Sequence, residues 1–240
     1  MSQRRFKPTL WPTVFTIPSL IILIALGSWQ VHRMNWKNSI IETVEERISG
    51  KPIDAPILLK NIERWRYKRV AVLGTFLHEK EFAITGKPFE GTAGFHLITP
   101  LKMSNGKTIL VNRGWIPEKL RARNTRQETL VGGKILVEGI IREDKRKGYF
   151  VPENEPRNEV WLYVNTQQMA MHRQLGPTVN YFIDQFRKPG PYRLPIGASE
   201  DVEIRNEHLQ YALTWYFLAI SLLIIYFLYH YRTDENLDDI

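Results

Sequence analysis

Two stretches of the chain carry no charged side chain, Pro8 to Val31 and His208 to Tyr231. Each runs to about 24 residues. A helix rising ~1.5 Å per residue spans the ~30 Å of bilayer hydrocarbon with that length. The pattern predicts one transmembrane helix over 10–31 and a second over 208–231, with short tails at 1–9 and 232–240. Residues 32–207 mix polar and apolar positions throughout and read as one soluble domain held between the two spans.

The first window also has some marks of a secretion signal. Arg4, Arg5 and Lys7 resemble a basic leader, and Ala25-Leu26-Gly27 a small-residue cleavage site. However, the apolar run is longer than a usual signal core, and Trp29, Gln30 and Arg33 carry the helical pattern beyond it. A retained anchor is the expectation. Pro12 and Pro18 fall inside the window, where a membrane helix tolerates proline if neighbours satisfy the freed backbone groups.

Within the middle domain, WKNSIIETVEERISG places Ile40, Ile41, Val44 and Ile48 at helical spacing and ends on Gly50, which predicts a short helix leaving the membrane. From Trp65 the pattern changes to strands: RYKRVAVLGTF, EFAITG, GFHLITPLK, KTILVNRGW, KILVEGIIR and, later, TVNYFID. Asn105-Gly106 predicts a hairpin turn, and NTQQMAMHRQLG a short helix ending at Gly176. The segment KRKGYFVPENEPRNE reads as irregular and exposed. Short strands joined by tight turns define a mainly antiparallel sheet that can curl into a barrel. The fold class is thus an α+β membrane protein, with two terminal transmembrane helices flanking a strand-rich, barrel-like soluble domain.

Charge and composition narrow the function. The net charge is +8, and because the basic start and acidic TDENLDDI end nearly cancel, the middle domain keeps about all of it. That favours contact with anionic lipid headgroups as readily as an ordinary solvated surface. A domain tethered at both ends is a poor nucleic-acid binder. The chain has no cysteine, which excludes disulfide scaffolds, thiolate metal sites and covalent c-type haem attachment. The flanking charges leave open which side of the membrane the domain faces.

The six histidines stand at 32, 78, 96, 172, 208 and 230, without HExxH or any metal-ligand spacing, and no GxSxG elbow or phosphate-cradling loop occurs. No enzyme class is indicated. The remaining candidates lie at the membrane edges. In LGSWQVHRMNWK, Trp29, Arg33 and Trp36 share one helix face, and in NEHLQYALTWY so do His208, Tyr211 and Trp215. Both patterns fit interfacial aromatic belts with snorkelling cations. The second also fits a flat apolar macrocycle lying on Tyr211 and Trp215 with the imidazole of His208 on its iron.

LGSWQVHRMNWK, VNRGWIP, YFID and NEHLQYALTWYFLA, in that order around a two-span frame, resemble the surfeit-locus cytochrome c oxidase assembly factor family in its bacterial form. The resemblance covers roughly residues 10–230, departing at Tyr181-Phe182 and Pro189-Gly190. It implies an inner-membrane protein whose middle domain faces the periplasm, or the intermembrane space in mitochondria. It further implies a helper that acts as haem a enters the large catalytic subunit of the oxidase, beside the haem a synthesis machinery. His208 becomes the candidate haem iron ligand, with Tyr211, Trp215, Trp29 and Arg33 around it. Arg113 of NRGW becomes a candidate partner for a haem propionate, with a strand end turned by Gly114 as the plainer reading. Two rivals stay open: a scaffold for an assembly intermediate that never touches haem, and a membrane-anchored ligand sensor, for which the short tails offer no output module.

Overall fold

The computed structural model describes residues 5–85, 88–144, 152–187, 193–201 and 205–232. The departure at Pro189-Gly190, the acidic tail from residue 233 and the start of the charged loop at 145–151 lie outside them. In chain order come β1 (Arg5–Phe6), α1 (Leu10–Ser49), β2 (Ile53–Asp54), β3 (Arg69–Phe76) and β4 (Phe82–Thr85). There follow β5 (Gly94–Met103), β6 (Thr108–Pro117), β7 (Ile135–Arg142) and α2 (Thr166–His172). The chain ends with β8 (Thr178–Gln185), α3 (His208–His230) and β9 (Tyr231–Arg232). Two compact units result, Met1–Thr43 with Glu203–Ile240, and Val44–Val202.

The first unit is an antiparallel pair of helices. Both α1 and α3 are long and apolar enough to cross a membrane. The short helix expected after the first apolar window is not separate, because α1 runs unbroken past Pro18 to Ser49. The shielded positions of α1 in this unit include Thr13, Thr16, Leu20, Leu23, Gly27, Gln30, Met34, Lys37 and Ile41, spaced alternately by three and four. That is the seam of a heptad pattern. On α3 the buried Ala212 and Ala219 lie seven apart on the matching seam. Small residues let two helix backbones approach closely in the absence of a hydrophobic driving force. At Gly27 the approach is close enough that an added Cβ would stand 2.6 Å from the Tyr216 ring. β1 and β9 pair antiparallel beside the helix ends.

The second unit is a strand-rich domain built on a closed barrel. Strands β3, β7, β8, β6 and β5 hydrogen-bond in that order, and β5 returns to β3 through Gly74–Phe76. Four of the five junctions are antiparallel and β6–β8 is parallel. β4 extends the sheet on β5, and β2 joins β3 in parallel. The Asn105-Gly106 turn closes the β5–β6 hairpin, with Gly106 at φ +81°. Strand alternation sorts the side chains. Val70, Val72, Leu101, Ile109, Val111, Val137, Tyr181 and Ile183 form the central core. Leu110 and Phe182, on the other face, pack under Trp161, Val164 and Met169 of the α2 region. Ile140 and Phe186 meet Val44 and Ile48 from the end of α1. Asn165 caps α2 by accepting from Gln168 N–H at 2.9 Å.

The NRGW stretch breaks the alternation. Leu97 pairs with Gly114 and Ile98 with Asn112, which leaves Arg113 as the extra residue of a β-bulge. Gly114 adopts φ +116°, and a Cβ there would stand 2.0 Å from the Ile196 carbonyl oxygen. Only glycine fits both demands.

Candidate functional site

Polar groups bridge the two helices of the first unit toward both of their ends. Thr9 Oγ1 meets His230 Nε2 at 3.0 Å, Thr13 Oγ1 meets the Tyr226 hydroxyl at 2.8 Å, and Ser28 Oγ meets the Tyr216 hydroxyl at 3.2 Å. Beyond Gly27 the ladder continues with Gln30 to His208, then Asn206 to Asn38 at 2.7 Å and Lys37 Nζ donating to the Arg205 carbonyl. In an apolar helix pair such hydrogen bonds fix register, since no hydrophobic contrast selects one face over another.

His208 opens α3 and is half-buried. Its Nδ1 lies 2.7 Å from Gln30 Oε1. An amide oxygen only accepts, so Nδ1 is the donor, and in the neutral tautomer that this contact selects the lone pair lies on Nε2. Nε2 has no hydrogen-bond partner among the described residues. A histidine ready to bind a metal has this arrangement: one ring nitrogen is held by a carbonyl-type acceptor, and the other is left basic and unengaged.

The other residues named from the sequence fall as follows. Trp29 and Tyr211 are 56% and 54% exposed, Trp215 is half-buried, and Arg33 is exposed. The Arg33 guanidinium stacks over the Trp36 ring at 3.9 Å. The heptad phase puts Trp29, Arg33, Trp36 and Tyr211 on one flank of the pair, and the hydrogen-bonded Ser28, Asn38, Tyr216 and Asn206 on the other. Sequence reasoning passed over Gln30 as a site residue. Its signal was available: an amide three residues past Gly27, near the end of an uncharged, mainly apolar run.

Arg113 belongs to the barrel unit and is 6% exposed. It donates to the Thr129 carbonyl, approaches His78 Nδ1 at 3.5 Å and lies over the Phe76 ring at 4.8 Å. Its neighbours in the motif are structural. Asn112 donates to Asp184 Oδ1 at 2.8 Å and accepts from Gly114 N–H at 3.1 Å, joining NRGW to YFID across the parallel pair. Trp115 packs against the Phe89 ring with centroids 5.4 Å apart. Tyr181 is fully buried, its hydroxyl donates to the Pro56 carbonyl at 2.6 Å, and burial pushes its pKa up.

A closed five-stranded mixed barrel, flanked in the sequence by two helices long and apolar enough to cross a membrane, defines a class of barrel protein whose helices suggest membrane association. Comparison with known proteins gives the family. The SURF1 family matches residues 18–220. Surfeit locus protein 1 of Mus musculus is 38% identical over 221 residues, covering 84% of this chain and 70% of the mouse protein. The SURF1-like proteins of Monosiga brevicollis and Caenorhabditis elegans are 33% and 34% identical, over 91% and 94% of this chain and 87% and 76% of their own lengths. The chain belongs to the SURF1 family, the surfeit-locus cytochrome c oxidase assembly factors that its four motifs resemble.

Proposed function

We propose that the protein is a multi-pass inner-membrane assembly factor for the haem–copper cytochrome c oxidase, with its barrel domain on the periplasmic side. In this reading it carries no catalytic reaction. It takes haem a from the synthesis machinery, holds it transiently, and releases it to the large catalytic subunit. Family membership supports the oxidase role, and the two apolar helices support the membrane setting. The hydrogen bond from His208 to Gln30 carries the haem part, because it engages Nδ1 and leaves Nε2 as the nitrogen that would hold the haem iron.

Trp29, Tyr211 and Trp215 offer flat apolar surface to the macrocycle, and Arg33 offers a charge-assisted donor to a propionate. A single histidine at the mouth of a helix pair is a replaceable ligand, which suits a carrier that must give up its cargo. The helix-pair residues alone carry this proposal.

The test is the absorption spectrum of protein purified from cells that make haem a. His208→Ala removes the haem band, while Gln30→Leu keeps it but weakens haem retention by ~10–100-fold, the usual cost of losing a ligand's orienting partner. An unchanged band in His208→Ala rejects the ligand assignment and leaves a scaffold that stabilises an oxidase intermediate without touching haem.

A further inference from the structure

Among the described residues of the barrel unit, one buried cluster carries more positive than negative charge. Glu81, Arg113 and Arg126 form one cluster whose side chains are 7%, 5% and 2% exposed. Glu81 is already committed: Oε1 accepts from Arg126 Nη2, and Oε2 accepts from Thr99 Oγ1 at 2.8 Å. Arg126 makes further bonds to the Leu120 carbonyl at 2.8 Å and to Thr129 Oγ1 at 3.3 Å. Arg113 stands 3.7 Å from Glu81, outside hydrogen-bond distance, and its own bonds go to the neutral Thr129 carbonyl and His78. One carboxylate thus serves two guanidinium groups.

A buried charge without a close counter-charge is costly. Burial, more than the opposing pull of Glu81, draws the Arg113 pKa down to about 10, so it stays charged at neutral pH but is poorly compensated. The same guanidinium lines a cavity of about 180 Å³, with Phe76, Val131, Ile135, Phe186 and Arg193. Glu128 also borders the cavity, but it is exposed and forms no ion pair with Arg113 among the described residues. The cavity has a lining divided about evenly between apolar side chains and polar ones, the polar part including the buried Arg113, the exposed Arg193, Thr129 and Gln185. Its volume is below the ~300 Å³ at which pockets for drug-sized ligands begin, which limits an occupant to a few carbon atoms.

We propose that this cavity is a binding site for a small monocarboxylate, its carboxyl group on Arg113 and its short hydrocarbon part against Phe76, Val131 and Phe186. The carboxylate supplies a second counter-charge beside the shared Glu81, through planar, paired hydrogen bonds that a guanidinium is built to make. Chloride or sulfate would satisfy the charge and leave the apolar half of the lining bare. The site stands whether or not His208 takes iron, since all its atoms belong to the barrel unit.

The experiment is a calorimetric titration of the detergent-solubilised full chain with sodium butyrate, against sodium chloride, sodium sulfate and 1-butanol at matched concentration. Saturable binding of butyrate alone, with a raised melting temperature, is the expected result. Arg113→Gln weakens it at least ~10-fold. Because that variant can lose stability with its buried bonds, Val131→Trp is the second arm: it fills the cavity while leaving every charge in place, and it also abolishes binding. Equal responses to butyrate and chloride, which would indicate an adventitious ion only, overturn the proposal. Undiminished butyrate binding in Val131→Trp overturns it as well.

Discussion

The helix pair and the barrel treat apolar surface in opposite ways. In the barrel unit Val70, Leu97, Leu101, Ile109, Val137 and Ile183 are inaccessible. In the helix pair Leu10, Trp11, Ile21, Ile22, Phe217 and Leu228 point outward, while glycine, alanine, threonine and histidine share the seam with Leu20, Leu23 and Met34. A soluble protein rarely exposes so much contiguous apolar surface. The inversion is stable where the surroundings are themselves apolar, and there close backbone packing and hydrogen bonds must do what hydrophobic burial does in the barrel. The chemistry differs in step. A histidine in the helix pair keeps one nitrogen unengaged, whereas Arg126 of the barrel is held by Glu81, the Leu120 carbonyl and Thr129.

Glycine substitutions test this contrast most severely. Gly114→Ala places a Cβ against the rigid Ile196 backbone at a φ that alanine avoids, and it is expected to cost the barrel more than ~4 kcal/mol, read by thermal unfolding. Gly27→Ala, which meets only the Tyr216 ring, is expected to cost ~1 kcal/mol because the ring can turn aside. Equal costs would break the distinction between a backbone-limited barrel and a side-chain-limited seam.

A second test removes the shared carboxylate. Glu81→Gln leaves Arg113 and Arg126 buried without a counter-charge, and is expected to destabilise the barrel by ~3 kcal/mol in denaturant titrations. A cost near zero would show that water or an anion already serves the cluster.

The smallest effect is a pH dependence confined to the barrel unit. Burial works to raise the Glu159 carboxyl, but donation from Arg173, His172 and Trp161 outweighs it and holds the pKa at about 2, against an ordinary 4.5. The folded-state value is depressed, so this stabilisation is complete above the ordinary carboxylate range and is lost as pH falls through about 2. With the Glu159 side chain 46% exposed, the contribution is under ~1 kcal/mol. Melting curves of Glu159→Gln should show a shallower decline in that acid window, and an identical decline would remove the clamp from the account.

Much of this was legible along the chain. Uninterrupted apolar runs marked α1 and α3, turn residues marked the β5–β6 hairpin, and alternation marked the strands. The end of the first helix was misjudged because Ile41, Val44 and Ile48 continue the seam of α1 by threes and fours, a phase that an all-apolar run conceals. His208 was legible as a candidate from its place at an apolar edge. Its hydrogen bond to Gln30, 178 residues away, was not. Nor was the burial of Arg113, since a bulge overrides the alternation that would assign its face.

The sequence by itself determined where apolar surface must be hidden and of what kind each element is, because period and charge are local properties of the chain. It also determined the family, through short motifs kept in order. Only the tertiary structure decided that the strands close into a ring through β3 and β5, that NRGW and YFID meet across a parallel pair, and that two arginines share one glutamate. Those are pairings between distant residues, selected by packing and by the cost of leaving a polar group unmet, and neither acts until the chain has folded.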